Sequence, residues 1–485
     1  MPLVLLLSPP LLASLLALAV RRNARLVGWS GVVLNGVSLA ASAWFCAGVL
    51  WRDAPLTGGN DFWRLDALSA LLTLCVTGVT LIASVFYPGL GGADHYDAAQ
   101  IRRFRIFVNA FALTMLAAVT TNNVGFMWVM IEATTITSAL LIPLHRTKAS
   151  VEASWKYLLI CSVGIALAFA GTVLAYFDFV STAGQLPNAL NWTVLRRAAP
   201  SLHRELMQLA FAFILVGYGT KAGLAPMHTW LPDAHSEAPA PMSAMMSGVL
   251  LAVAMYAVAR WKAVVDATLA SPSFTNDLLL AVGLLSVLIG SLSLVIQRHY
   301  KRMLAYSSVE HIGLVCVGLG LGPLGTFAAL LHLVNHAVAK SMAFLLAGRI
   351  LHRYETTEIA GVSGLLRVMP WTGSLFALGI LALIGLPPFG LFVSEFLLVK
   401  AAIATGHVWV AAVTLLLVLV AFVSLLNHLN VMLYGAAPAG VAVGEGADWR
   451  VLTLAGCVAV SLVLGTVLPW PLAALIDRTV AIVTP

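Results

Sequence analysis

Several ionisable side chains of this 485-residue chain lie where the surrounding sequence is apolar. Glu132 stands in GFMWVMIEATTITSALL with no other charge in that stretch. Lys221 comes just before Gly223 and Pro226 in GYGTKAGLAPMHTWLPDAH. His332, His336 and Lys340, in HLVNHAVAKSMAFLLAG, are spaced i, i+4, i+8 and therefore share one helix face. Glu395 follows a second Gly/Pro-rich stretch, IGLPPFGLFVSEF. A charge at the centre of a membrane helix costs at least about 2.5–3.5 kcal/mol, so each such group needs a partner, a wet cavity or a neutral protonation state. Glu132 and Lys221 are expected to form a buried pair. Taken in order, the six residues make a polar line through an apolar protein, the pattern of a proton path.

Other groups sit nearby in sequence. Glu310 and His311, in YSSVEHIG, add an acid and an imidazole inside an apolar span. His228, Asp233, His235 and Glu237 flank the first Gly/Pro stretch and are expected to form its water-filled entrance. Glu152 and Lys156 are i, i+4, where a surface salt bridge competes with a functional role. Lys400, five residues past Glu395, is placed to snorkel to the interface. The i, i+4 histidines could hold a metal, but no carboxylate or thiolate accompanies them in sequence, and no second helix offers a matching pair for haem. Cys46, Cys75, Cys161, Cys316 and Cys457 are scattered without a CxxC, which argues against iron–sulfur and structural zinc sites. No metal and no cofactor is expected.

The elements that position these residues follow from composition. Hydrophobic residues make up 60% of the chain and charged residues 10%, against about 25% charged in a soluble domain. Lipid must be the solvent for most of the surface. The apolar runs are continuous rather than alternating, so helices are favoured over a barrel. Spans are expected near 2–20, 26–50, 65–88, 105–121, 123–144, 153–177, 205–226, 239–260, 276–297, 303–321, 326–349, 370–400, 407–434 and 450–473. The fold class is an all-α integral membrane protein of about 14 helices.

Two spans, 217–235 and 384–396, are interrupted by Gly and Pro. Paired broken helices point to inverted repeats with a transport site between them. The expected organisation is an N-terminal three-helix segment (1–103), two inverted five-helix repeats (104–262 and 276–436) and a C-terminal helix (450–485). Loop lysines and arginines, among them Arg21, Arg22, Arg102, Arg103, Arg105, Arg298, Lys301 and Arg353 on the inner face against Arg260 and Lys262 among the outer ones, favour the inner face by roughly two to one, which places both termini outside. The net charge of +7 reflects those loops. No basic stripe with interleaved aromatics is present, so no nucleic-acid partner is expected.

The segments KAGLAPMHTWLPDAHSEAPAPMSAMMSGVL, MWVMIEATTITSALLIPLHRTKASVEASWKYLLICSVGIALA and YSSVEHIG resemble the antiporter-like membrane subunits of respiratory complex I, Mrp antiporters and group 4 hydrogenases. The likeness is strongest to the hydrogenase-4 component F type. The resemblance covers essentially the whole chain. It implies 14 helices, two inverted five-helix repeats and a central hydrophilic axis without a redox centre of its own. Glu132 then resembles the family's helix-five glutamate and Lys221 its helix-seven lysine. His332, His336 and Lys340 resemble its helix-eleven residues, and Glu395 stands where a helix-twelve lysine or glutamate is found. Many relatives carry a lysine in helix eight, whereas this chain has Ala252; His228, His235 or water would have to fill that gap.

The function implied is proton translocation in a bacterial inner membrane, as one subunit among membrane and peripheral partners of a redox-driven complex. An Mrp-type sodium/proton antiporter subunit and a structural anchor with an inactive channel are the alternatives.

Overall fold

A computed structural model describes residues 2–20, 24–89, 96–184, 186–446 and 448–484. In chain order the helices are α1 (Pro2–Ala19), α2 (Ala24–Arg52), α3 (Ala67–Ser84), α4 (Ala98–Thr120), α5 (Val124–Ala139), α6 (Lys148–Ala183), α7 (Trp192–Ala198), α8 (Arg204–Ala222), α9 (Trp230–Glu237) and α10 (Ala240–Met245). They continue with α11 (Leu251–Leu269), α12 (Ser273–Val295), α13 (Tyr300–Leu319), α14 (Gly322–Tyr354), α15 (Leu365–Val368), α16 (Pro370–Leu383), α17 (Gly390–Ala404), α18 (Val408–Leu433), α19 (Trp449–Thr466) and α20 (Trp470–Val483). A short antiparallel ribbon, β1 (Leu56–Gly58) and β2 (Trp63–Leu65), joins α2 to α3. Among the described residues, eleven helices, some continued through a short turn, are long and apolar enough to cross a membrane.

The core is one column. Every residue from Pro241 to Asp266 is buried, through α10, a π-turn at Met246–Leu250 and most of α11. α14 packs beside that column and is buried along most of its length. Peripheral helices such as α2, α6 and α18 expose Val, Leu and Trp side chains outward, as expected where lipid is the solvent.

Both Gly/Pro stretches break their helices in the same way. α8 ends at Gly223, whose φ is +76, and Leu224 N–H reaches back to the Gly219 carbonyl at 2.8 Å. α16 ends before Gly385, whose φ is +66, and Leu386 N–H reaches back to the Leu381 carbonyl at 3.2 Å. A left-handed glycine followed by this i→i−5 bond is a Schellman closure. Backbone groups freed by the breaks are taken up by side chains from elsewhere. Ser286 Oγ of α12 accepts from Ala225 N–H at 2.9 Å, and Asn335 Nδ2 of α14 donates to the Gly390 carbonyl at 2.9 Å.

Three expectations change. Arg260 and Lys262, expected in a loop, lie buried on α11 because that helix runs on to Leu269. The last span is not one helix over 450–473: α19 stops at Thr466, and after Pro469 the chain forms α20, which Arg478 ties to α2 through the Val49 carbonyl at 2.8 Å. Arg105 and Lys301, also expected in loops, are buried, Arg105 about two turns into α4 and Lys301 in the first turn of α13. Arg21 and Arg22 lie outside the described residues.

Burying Arg260 requires an anion. Its two Nη atoms donate to both Asp66 carboxylate oxygens at 2.7 and 2.6 Å, while Asp66 also caps α3 through Ser69 N–H. Trp192 of α7 covers the guanidinium, 4.6 Å from ring centre to Cζ. Removing one partner of such a pair strands a buried charge and costs about 3–5 kcal/mol. Asp66→Ala is therefore expected to lower stability by about that amount in equilibrium unfolding in mixed micelles, whereas Arg64→Ala changes it by less than about 1 kcal/mol.

Candidate functional site

α5, α6 and α8 bring the first cluster together. Lys221 Nζ is fully buried and donates to Thr135 Oγ1 at 2.9 Å and to Tyr157 OH at 2.7 Å. Thr135 in turn donates to Glu132 Oε2 at 3.0 Å, and Ser162 donates to Glu132 Oε1 at 2.8 Å. The expected direct Glu132–Lys221 ion pair is thus a relay through one hydroxyl. The reason is geometric: Thr135 sits one turn along α5 from Glu132 and occupies the space between the two charges. Glu132 itself is half-buried, at the outer side of the cluster. Tyr157 OH passes the chain on to Ser138 Oγ at 2.6 Å.

The second cluster is built by α13, α14 and α17. His311 Nδ1 and His332 Nε2 are 3.0 Å apart, and His332 Nδ1 meets Ser394 Oγ at 3.0 Å. The His336 ring lies 5.4 Å from that of His311. Lys340 Nζ donates to the Leu304 carbonyl at 2.9 Å and to Ser307 Oγ. Glu310 lies within electrostatic range of Lys340 on one side and Glu395 on the other. The premise that no carboxylate accompanies the histidines fails in three dimensions. Ligand atoms of His311, His332 and Glu395, from three helices, lie within 4.8 Å of one another. Glu395 is half-buried against Gly385, where any Cβ would collide with its carboxylate. Its other side faces an apolar cavity of about 450 Å³ lined by Phe392, Phe396 and Phe422.

His235 stands between the two clusters. It is fully buried, not at a wet entrance as expected, because α9 folds back under the break and turns its ring inward. Its ring centre is 6.4 Å from Trp230 and 5.2 Å from Phe344, and Trp230 stacks 4.8 Å from Tyr157. Lys301, Lys340 and His336 are within electrostatic range. Both ring nitrogens of His235 and both of His336 lack a protein hydrogen-bond partner, whereas His228 and His311 each lie beside a backbone carbonyl, of Pro226 and Leu383. Ala252 lies on α11 just past the π-turn, buried and offering no polar atom. The nearby hydroxyls Ser247 and Ser308 pair with each other at 2.8 Å.

A cavity of about 740 Å³ opens at the end of the bundle that carries Lys301. Glu237, Lys301, Arg349, Arg353 and Glu445 are among the residues that line it. Burial alone would raise the Glu445 carboxyl, but hydrogen bonds from Arg349 and Thr372 outweigh it and hold the group below the usual carboxylate range. Lys301 Nζ donates to the Ser236 and Ala238 carbonyls at 2.5 and 2.9 Å, directly beside His235 in the chain.

Glu152, Lys156 and Asp233 join neither cluster. With Arg302 they form an exposed ion network, Lys156 meeting Glu152 at 2.7 Å and Asp233 at 3.4 Å, and Arg302 meeting Asp233 at 3.0 Å. Lys400 is exposed on the outer face of α17.

The chain matches the family described as NADH:quinone oxidoreductase/Mrp antiporter, transmembrane, over residues 121–421. It is 38% identical over 385 residues to a hydrogenase-4 component F homolog of Methylacidiphilum infernorum, covering 78% of this chain and 79% of that one. It is 31% identical to hydrogenase-4 component B of Escherichia coli, covering 68% of this chain and about half, 49%, of the relative. Its fold is similar to a chain of the archaeal membrane-bound sulfane sulfur reductase, with a TM-score of 0.87, 25% identity, and coverage of 99% and 97% of the two chains.

Thr135 is the one atom bridge between Lys221 and Glu132. Thr135→Val leaves a buried ammonium with one hydrogen-bond partner fewer and is expected to destabilise by about 1–3 kcal/mol. Thr135→Ser, which keeps the hydroxyl, is expected to stay within about 1 kcal/mol. Equilibrium unfolding of the two variants side by side checks the bridge.

Proposed function

Because the chain belongs to the NADH:quinone oxidoreductase/Mrp antiporter family of membrane subunits, we propose that it conducts protons along the buried Glu–Lys–His axis as one subunit of a redox-driven complex. The observation that carries this reading is His235, fully buried between the two clusters with both ring nitrogens free of protein partners. Buried polar atoms are almost always satisfied, by water where not by protein. Ring nitrogens in that state at His235 and His336 support a hydrated seam. Imidazoles along such a seam can each accept a proton on one nitrogen and release one from the other.

The proposed route enters from the 740 Å³ cavity past Lys301 and reaches His235. From there it divides toward Lys221, Thr135 and Glu132 on one side, and toward His336, His311, His332 and Glu395 on the other. His235 takes the place of the missing helix-eight lysine. Lys340 and Glu310 set the charge that a proton on His336 or His311 must meet. The nitrogen-rich axis favours protons over sodium, since a hard cation is held by a cage of oxygen ligands and the central residues here are His and Lys.

The same reading gives fourteen passes by adding α1, α13 and the interrupted α16–α17 pair to the eleven long apolar spans. It keeps the two inverted repeats (104–262 and 276–436), supported by the matched Schellman closures at Gly223 and Gly385. Basic loops then place the Lys301 end in the cytoplasm and both termini on the outer face of a bacterial inner membrane. The chain carries no redox centre of its own; membrane and peripheral partner subunits supply the driving reaction.

In proteoliposomes holding the intact complex, His235→Leu is expected to lower turnover-coupled proton uptake at least about tenfold, the effect of about 1.4 kcal/mol on a transfer step. Replacing sodium by choline is expected to leave wild-type uptake unchanged. Full uptake by His235→Leu, or a sodium requirement, would overturn the reading.

A further inference from the structure

We infer that His311, His332 and Glu395 form a binding site for a divalent transition-metal ion of the zinc or cobalt type. Two histidines and one carboxylate, with a fourth position open, make a common ligand set for zinc. The side chains come from α13, α14 and α17, so only the packed fold assembles them, and their ligand atoms lie within 4.8 Å of one another. A tetrahedral zinc ion with Zn–N bonds of 2.0–2.1 Å holds two nitrogen ligands about 3.3 Å apart. His311 Nδ1 and His332 Nε2 already stand 3.0 Å apart, so the two rings need to separate by only a few tenths of an ångström.

The surroundings fit a metal as well. Ser394 Oγ meets the other nitrogen of His332, Nδ1, at 3.0 Å, the kind of outer contact that fixes the orientation of a ligating imidazole. The proton now shared between the two rings has somewhere to go: the Leu383 carbonyl lies beside the His311 ring, so His311 can change tautomer, carry its proton on the other nitrogen and offer Nδ1 to the ion. Glu395 borders the 450 Å³ cavity on its other side, so its carboxyl is not pinned by packing there. Any proton it carries is released when the metal binds. Lys340 is occupied by the Leu304 carbonyl and Ser307 and does not compete for the ligands.

Occupancy would also lock the two nitrogens that pass protons between His311 and His332. This consequence rests on the proton-conducting reading above, whereas the binding site itself does not.

The test uses the full chain in lipid nanodiscs with Co²⁺ as the probe. One equivalent is expected to give the intense visible ligand-field bands of four- or five-coordinate Co²⁺, which Zn²⁺ abolishes by competition. His311→Gln, His332→Gln and Glu395→Gln are each expected to lose the band, and Ser394→Ala to weaken binding by about tenfold. His228→Gln is expected to keep it. Circular dichroism and elution profile identify any variant that fails to fold, and Ser394→Ala then remains as the mild probe. Absence of the band from the wild-type chain, or its survival in His311→Gln, would overturn the site. In proteoliposomes of the complex, Co²⁺ binding is expected to stop proton uptake. Binding with undiminished uptake would leave the site standing and overturn the relay through these two histidines.

Discussion

A polar group inside a membrane protein must find a protein partner or water, because lipid offers neither donor nor acceptor. Each unusual feature of this chain follows from that constraint. Lys221 is fully buried and is held by two hydroxyls and an aromatic ring, 4.8 Å from its Nζ to the Tyr157 centroid. Arg260 is buried and takes both oxygens of Asp66. The broken backbones at Gly223 and Gly385 are closed by i→i−5 bonds and by Ser286 and Asn335. Where the protein has partners to give, it gives them. The central imidazoles are not satisfied in this way: both ring nitrogens of His235 and of His336 lack a protein partner, which sets them apart from Lys221 and Arg260.

The same distinction sorts the charges. Arg260–Asp66 and Lys262–Asp266 are close pairs, 2.6 and 2.5 Å, at one end of the bundle, where they anchor α11. Neither partner can change charge without stranding the other. Lys221 and Lys340 instead donate to hydroxyls and a carbonyl, and neutral partners permit loss of a proton without leaving an unpaired anion behind. Glu132 and Glu395, one at the outer side of each cluster, are both half-buried.

Much of this was legible in the sequence. Continuous apolar runs with few charges fixed the membrane class, and Gly-Pro interruptions located both breaks. Single charges within those runs named Glu132, Lys221, Lys340 and Glu395. What the sequence concealed was contact between helices. Thr135, Tyr157, Ser162 and Ser307 are ordinary residues until the fold sets their hydroxyls against a charge, although the i, i+3 spacing of Glu132 and Thr135 was a usable signal. His311 appeared secondary because its partner His332 lies 21 residues away on another helix. Glu395 and the histidines meet only through α17. Arg260 and Lys262 read as loop residues because the counter-ion of Arg260, Asp66, lies 194 residues away, although Asp266, at i+4 from Lys262, was a usable signal. Glu152, Lys156 and Asp233 carried the right residue types but lie on the surface, where a salt bridge is worth little.

Whether the seam conducts depends on what satisfies the four ring nitrogens of His235 and His336. A cryo-electron microscopy map of the intact complex, at a resolution that shows ordered solvent, measures this directly. Water density bridging His235 to His336, and continuing to the Lys221 cluster and to His311, is the expected result. A dry apolar contact at His235, with no solvent on either ring nitrogen, would contradict conduction along this axis.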